Sequence, residues 1–166
     1  TIHSSHIRTV LKETRDEGLL SGTQSDIISR VEVINRLDLE YAATPLSKVC
    51  SLDVDSSRDT VIDNLRKYPY TRYPVYETKA WNIIGYVNIY EVLSGLDDFE
   101  NLRRFVKQIR LFSSRDSVLE VMNIMQQEKA HMAAVTRSSH LNIGRVIGII
   151  TMKDLVEELV GELVEW

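Results

Sequence analysis

The chain has 166 residues, with 20 Lys and Arg against 24 Asp and Glu, a net charge of −4, 43% hydrophobic residues and one cysteine. This length suits one domain or two small ones sharing a core, and the acidic balance with scattered basic residues excludes an obvious nucleic-acid surface. No apolar run approaches bilayer length, and the lone Cys50 excludes an internal disulfide or a cysteine-based zinc cluster and fits a reducing compartment.

The chain opens on Thr1 without a methionine and shows no secretory pattern, and a piece of a longer protein is expected. Residues 5–17 place Ile7, Val10 and Leu11 on one helical face, with Gly18 as the stop. A second helix is expected to bury Ile27, Val31 and Ile34, with Leu37 near its end. Thr44-Pro45 closes this helical preface, because proline disfavours helix in the residue before it.

Beyond Pro45 the chain repeats itself. Ser57-Arg58-Asp59-Thr60-Val61-Ile62 is echoed by Ser114-Arg115-Asp116-Ser117-Val118-Leu119, each a serine-capped helix start with an early acid. Val61, Ile62, Leu65 and Tyr68 match Val118, Leu119, Met122 and Met125 along those helices, and Pro69 stops the first. Short apolar pieces, Val49–Val54 and Val106–Phe112, precede the helices, and extended segments, Tyr73–Tyr76 and Met132–Thr136, follow them. Pro74 suggests an edge or a strand end. Polar turns at 77–82 and 137–142 lead to Ile84-Gly85-Tyr86-Val87 and its echo Ile147-Gly148-Ile149-Ile150, and each copy ends in a closing helix. The basic group Arg103, Arg104, Lys107 and Arg110 follows Asp97, Asp98 and Glu100 and reads as a solvated mixed-charge face. The fold class is therefore α/β (α+β): two β-α-β-β-α repeats related by a pseudo-twofold axis, over 44–105 and 106–166, after a helical segment at 1–43. Two such units would bury the open faces of each other's sheets and form clefts between them.

At Gly148-Ile149-Ile150-Thr151-Met152-Lys153-Asp154 the apolar strand turns into a helix. Thr151 as N-cap and Asp154 on the first turn suit a ribose and a phosphate, since a helix start offers free N–H groups and a partial positive charge. The same two residues also suit a plain helix cap with a dipole-complementing acid. In the first copy Gly85, Asn88 and Glu91 occupy this corner with both polar positions altered, which makes it a weaker half-site. Glu157, Glu158, Glu162 and Glu165 read as a solvated helix face.

With repeat and corner together, the sequence resembles a tandem pair of CBS domains, often called a Bateman module, from about residue 44 to 161. Glu17-Gly18-Leu19-Leu20, Ala43-Thr44-Pro45, Tyr70-Thr71-Arg72-Tyr73-Pro74-Val75-Tyr76, His131-Met132-Ala133-Ala134-Val135 and Glu157-Glu158-Leu159-Val160-Gly161-Glu162 are similar to the cytosolic CBS module of CorC/hemolysin-C and cyclin M type divalent-cation transporters. Leu46 departs from that class, which often has arginine there. The resemblance implies a regulatory module, not an enzyme, that binds AMP or ATP, with Mg2+ entering on the phosphates. It also implies a homodimer through the CBS helices, with the apolar edges Leu155, Leu159 and Leu163 serving assembly, and a parent membrane domain that holds this fragment at the cytoplasmic face without inserting it. The expected nucleotide site comprises Gly148, Thr151, Asp154 and Arg72, with adenine between Ile109 and Leu111 before the second repeat's helix and Met132 and Ala133 after it; the apolar four also suit plain core, and Arg72 a surface cation. Asn88 and Glu91 form the lesser half-site. No catalytic residue, protein-held metal or nucleic-acid partner is expected, and the alternative is a ligand-free dimerisation scaffold.

Overall fold

A computed structural model describes residues 22–137 and 144–164. The expected first helix, the 138–142 part of the second polar turn, and Glu165 lie outside those residues, as does the side chain of Leu163. The preface contributes α1 (Gly22–Asn35) and a single turn, α2 (Leu39–Ala42). Contrary to the periodicity, α1 turns Ile27 and Val31 outward, at 56% and 49% exposure, and buries Ser25, Glu32 and Ile34. Glu32 tolerates this position because Arg36, one turn on, donates to its carboxylate at 2.7 Å. The helix is held through its C-terminal end, where Leu37 and Leu39 enter a core with Val118, Val121 and Leu155.

The first repeat follows. It comprises β1 (Thr44–Pro45), β2 (Leu52–Asp53), α3 (Arg58–Lys67), β3 (Arg72–Tyr76), β4 (Ile83–Asn88) and α4 (Ile89–Ser94). Ser57 caps α3 by accepting from the Thr60 N–H, and the helix ends one residue before Tyr68, as Pro69 requires. Tyr68 itself is exposed rather than part of the inward stripe. Two 3-10 turns then lead to β5 (Arg110–Ser113), α5 (Val118–Glu128), β6 (Met132–Thr136), β7 (Val146–Thr151) and α6 (Met152–Val164). The second cap falls on Ser117, not Ser114. Residues 113–116 are taken up in a turn closed by Asp116, and the preface occupies the neighbouring backbone, with the Val118 N–H donating to Leu37 and the Leu39 N–H to Asp116.

The strands form two sheets, ordered β1-β7-β6-β5 and β2-β3-β4. β1, at the head of the first repeat, is hydrogen-bonded to β7 of the second, Thr44 opposite Ile149. Gly148 makes this possible, because a Cβ there would stand 2.8 Å from the Thr44 carbonyl oxygen. Pro74 is not at a strand end: it sits mid-strand in β3, opposite Tyr86 of β4, on a stretch that is locally an edge. β2 begins only opposite Val75, so no strand flanks Pro74 on its other side and its missing N–H removes no ladder bond.

Strand alternation then sorts the side chains into three cores. Tyr73, Val75 and Val87 face the helices of the first repeat, and Ala133, Val135 and Ile150 those of the second. Residues of the opposite parity, among them Met132, Ala134 and Ile149, form a third cluster with Ile109, Val49 and Tyr86 where the two sheets face each other, joined by Ile83, which the register shift beside Tyr76 turns to that face. This inter-repeat layer is the burial that two open-faced units require, and its rim carries the clefts.

Candidate functional site

The site is built outward from the β7–α6 corner. The Thr151 N–H donates to Asp154 Oδ2 at 3.0 Å, and the Asp154 N–H donates to Thr151 Oγ1 at 3.2 Å. This reciprocal pair is a capping box, so both residues have a structural task. It also shapes the chemistry available, because Oδ2 is committed to the backbone while Oδ1 retains acceptor capacity toward an approaching hydroxyl.

Next to this corner lies a cleft of about 320 Å³, lined by Thr151, Asp154, Lys153, Ile149 and Met132 of the second repeat and by Thr44, Lys48, Val49, Cys50, Tyr70, Arg72 and Pro74 from the first. Such a volume is at the lower end of that of small-molecule sites. The structure thus brings together Thr151, Asp154, Arg72 and Met132. Neither the Arg72 guanidinium nor the Lys48 ammonium has a hydrogen bond or ion pair among the described residues, whereas Lys153 sits 3.7 Å from Glu157. Three cations against one carboxylate give the cleft a positive balance that favours an anionic ligand. Val49, Ile149, Pro74 and Met132 supply an apolar wall. Burial pushes the Cys50 thiol above its ordinary pKa, leaving it neutral and weakly nucleophilic.

The remaining sequence-predicted residues lie elsewhere. Gly148 does not line the cleft; its role is to let β1 close over β7. Ala133 cannot share a wall with its neighbour Met132, because adjacent strand residues point to opposite faces, and it is buried in the helix-side core. Leu111 is 49% exposed. Ile109 belongs to a second cleft, of about 400 Å³, with Tyr86, Gln108, Arg110, Glu128, Lys129, Ala130 and Met132. The apolar wall beside Thr151 and Asp154 thus comes from both repeats, Val49 and Pro74 of the first joining Ile149 and Met132 of the second. Sequence reasoning missed Thr44, Lys48, Val49, Cys50 and Tyr70. The signal that would have found them is the repeat itself: facing units exchange their lead-in strands across the pseudo-twofold, so each closing corner meets the other copy's lead-in.

In the first repeat the equivalent corner is differently used. Asn88 caps α4 by accepting from the Tyr90 N–H at 2.9 Å, and Glu91 accepts from Lys107 Nζ at 2.5 Å. The basic group at 103–110 resolves into separate contacts, Arg103 with Glu77, Lys107 with Glu91 and Arg110 with Glu128, while Arg104 lies over the Phe105 ring. Of the predicted assembly edge, Leu155 is fully buried and Leu159 packs against the core; among the described side chains of α6, Val156 and Val160 are the exposed large apolar ones. No helix among the described residues is long and apolar enough to cross a membrane.

Two facing β-α-β-β-α units with a cleft at the strand-to-helix corner define a paired α/β module. Residues 106–161 match the family profile described as CBS domain. The UPF0053 protein YhdP of Bacillus subtilis is 29% identical over 163 residues, which is 95% of this chain and 36% of that protein. A hemolysin C homolog of Rickettsia massiliae is 23% identical over 137 residues, 78% of this chain and 44% of that one. The CBS domain of a bacterial CNNM/CorC family Mg2+ transporter, solved in complex with ATP, superimposes with a TM-score of 0.72 at 17% identity, covering 84% of this chain and 98% of that chain. The second repeat is thus a CBS domain, and the chain has the fold of CBS modules from CorC/CNNM-type transporters. It spans less than half the length of either curated relative.

Proposed function

We propose that this chain is the regulatory, adenine-nucleotide-binding part of a CorC-type or hemolysin-like divalent-cation transport protein. The observation that carries this reading is the joint lining of one cleft by Asp154 and Thr151 from the second repeat and an unpaired Arg72 from the first. Asp154 Oδ1 accepts from the ribose diol, Thr151 and the α6 N-terminus face phosphate, and Arg72 with Lys48 neutralises the phosphate charge. Adenine lies against Val49, Pro74, Ile149 and Met132. Mg2+ arrives on the phosphates of ATP, since the lining holds a single carboxylate and no histidine. The ATP-bound CBS domain of the similar CNNM/CorC protein supports the ligand class, and the greater length of the curated relatives supports a longer parent chain, in which we place this module on the cytoplasmic side of a membrane domain.

The nucleotide bridges residues from both repeats, so binding favours whichever arrangement brings Arg72 and Asp154 together and biases any domain attached to the module. Calorimetric titration of AMP, ADP and ATP, with and without magnesium, tests the reading. Saturable heat that is lost in Asp154→Ala supports it. Absence of heat with every nucleotide would leave the module as a dimerisation scaffold, and binding unchanged in Asp154→Ala would place the ligand elsewhere.

A further inference from the structure

The two clefts differ at the strand-to-helix corner, and also in that Met132 of the second stands where the first has Arg72. Register relates them: Arg72 stands opposite Asn88 as Met132 stands opposite Thr151, and Thr44 stands opposite Ile149 as Lys107 stands opposite Tyr86. By this correspondence Asn88 is the counterpart of Thr151, Glu91 of Asp154 and Lys107 of Thr44. Thr44, Thr151 and Asp154 all line the first cleft. None of Lys107, Asn88 and Glu91 lines the second, although Tyr86, Ile109 and Met132, the counterparts of Ile149, Val49 and Arg72, do.

The side chains at the corner explain the difference. Where Thr44 presents a short hydroxyl, Lys107 extends a long side chain whose ammonium donates to Glu91 Oε1 at 2.5 Å. The start of that side chain is fixed, because the Lys107 backbone exchanges hydrogen bonds with Tyr86 in both directions at 2.8 and 3.0 Å. Gly85 admits this close approach, since a Cβ there would stand 2.3 Å from the Lys107 oxygen. Asn88 Oδ1 is engaged with the Tyr90 N–H. Both partners of the Lys107–Glu91 pair are nearly half exposed, so the pair itself contributes little to stability. Its consequence lies in the cation: the Lys107 ammonium neutralises the Glu91 carboxylate through Oε1, whereas Asp154 gives up one oxygen only to a backbone N–H and keeps its charge for a diol.

Resting on the nucleotide reading of the first cleft, we infer that Lys107 is a specificity-determining residue that restricts the module to one adenine nucleotide per chain by filling the ribose corner of the second cleft. The internal ammonium replaces the ligand there, and the pseudo-symmetric module becomes functionally one-sided.

The test measures ATP and AMP stoichiometry by calorimetry, with thermal melting as a fold control. The unsubstituted chain binds one nucleotide, and Asp154→Ala abolishes it. In the Asp154→Ala background, the second corner is rebuilt as Asn88→Thr, Glu91→Asp and Lys107→Thr, and binding returns. The matching variant that keeps Lys107 binds at least about tenfold more weakly. If Lys107→Thr lowers the melting temperature, Lys107→Ser serves in its place. Equal binding with and without Lys107 overturns the assignment, as does a cooperatively melting rebuilt chain that binds nothing, or two nucleotides on the unsubstituted chain. No nucleotide on the unsubstituted chain overturns the parent reading and this one together, whereas one nucleotide that Asp154→Ala removes and the rebuilt corner fails to restore overturns this one alone.

Discussion

Asp154 carries two tasks that substitution can separate. Asp154→Asn keeps an acceptor for the Thr151 N–H and removes the charge offered to a ribose diol, so the fold persists while nucleotide affinity falls by about tenfold or more, as for other charged hydrogen bonds. Titration with parallel melting curves checks this. Arg72→Ala weakens ATP more than AMP, because only the longer phosphate chain makes full use of a second cation beside Lys48; comparing the two dissociation constants decides it. Cys50 provides a chemical probe of the same cleft. Its raised pKa favours the neutral thiol, so the stability gained from burying it is present below the ordinary thiol pKa and is lost as pH rises through the raised one. Alkylation of Cys50 near neutral pH is therefore expected to run slower than that of a free cysteine and slower again with ATP bound, which mass spectrometry can follow. At this scale the sequence made Thr151, Asp154 and Arg72 legible through residue type and corner position. Val49 and Tyr70 were not legible, because nothing in an apolar or aromatic residue records which of two facing sheets it meets.

At the scale of elements, strand parity and close approach govern the outcome. Met132 and Ala133 are adjacent in sequence and face different cores, so only one of them can touch a ligand. Gly85→Ala tests the approach of chain to sheet. Its Cβ would stand 2.3 Å from the Lys107 oxygen and 2.5 Å from Val106 Cγ1, and since a backbone carbonyl cannot swing aside, the loss expected from overpacking is about 1–3 kcal/mol or more, measured by denaturant unfolding. The helix starts illustrate a different competition. The echo of Ser57 in Ser114 is real in sequence, yet the second helix begins a turn later because the preface backbone claims the amides and carbonyls around Asp116 and Val118.

At the scale of the molecule, the preface belongs structurally with the second repeat. Leu39 is fully buried among Val118, Val121 and Leu155, and Leu39→Ala is expected to lose about 2–5 kcal/mol, as for other core truncations. Ligand binding should act on the whole assembly. ATP at 100 times its dissociation constant would stabilise the bound form by about 2.7 kcal/mol, a rise in melting temperature of roughly 5–10 °C for a chain of this size. A scan that shows no rise with any adenine nucleotide would count against the proposed ligand.

Composition, periodicity and the internal echo by themselves determined that this protein is an α/β pair of β-α-β-β-α repeats with one intact polar corner at Thr151 and Asp154. Those features are local: a change of period marks a strand-to-helix turn, and a repeated motif marks a repeated unit. Tertiary structure alone decided that the cleft beside that corner is walled by both repeats, that the preface completes the second core, and that Lys107 pairs with Glu91. Each of these depends on which surfaces two facing sheets bring together, and sequence distance carries no record of that when Thr44 pairs with Ile149 and Lys107 reaches back to Glu91.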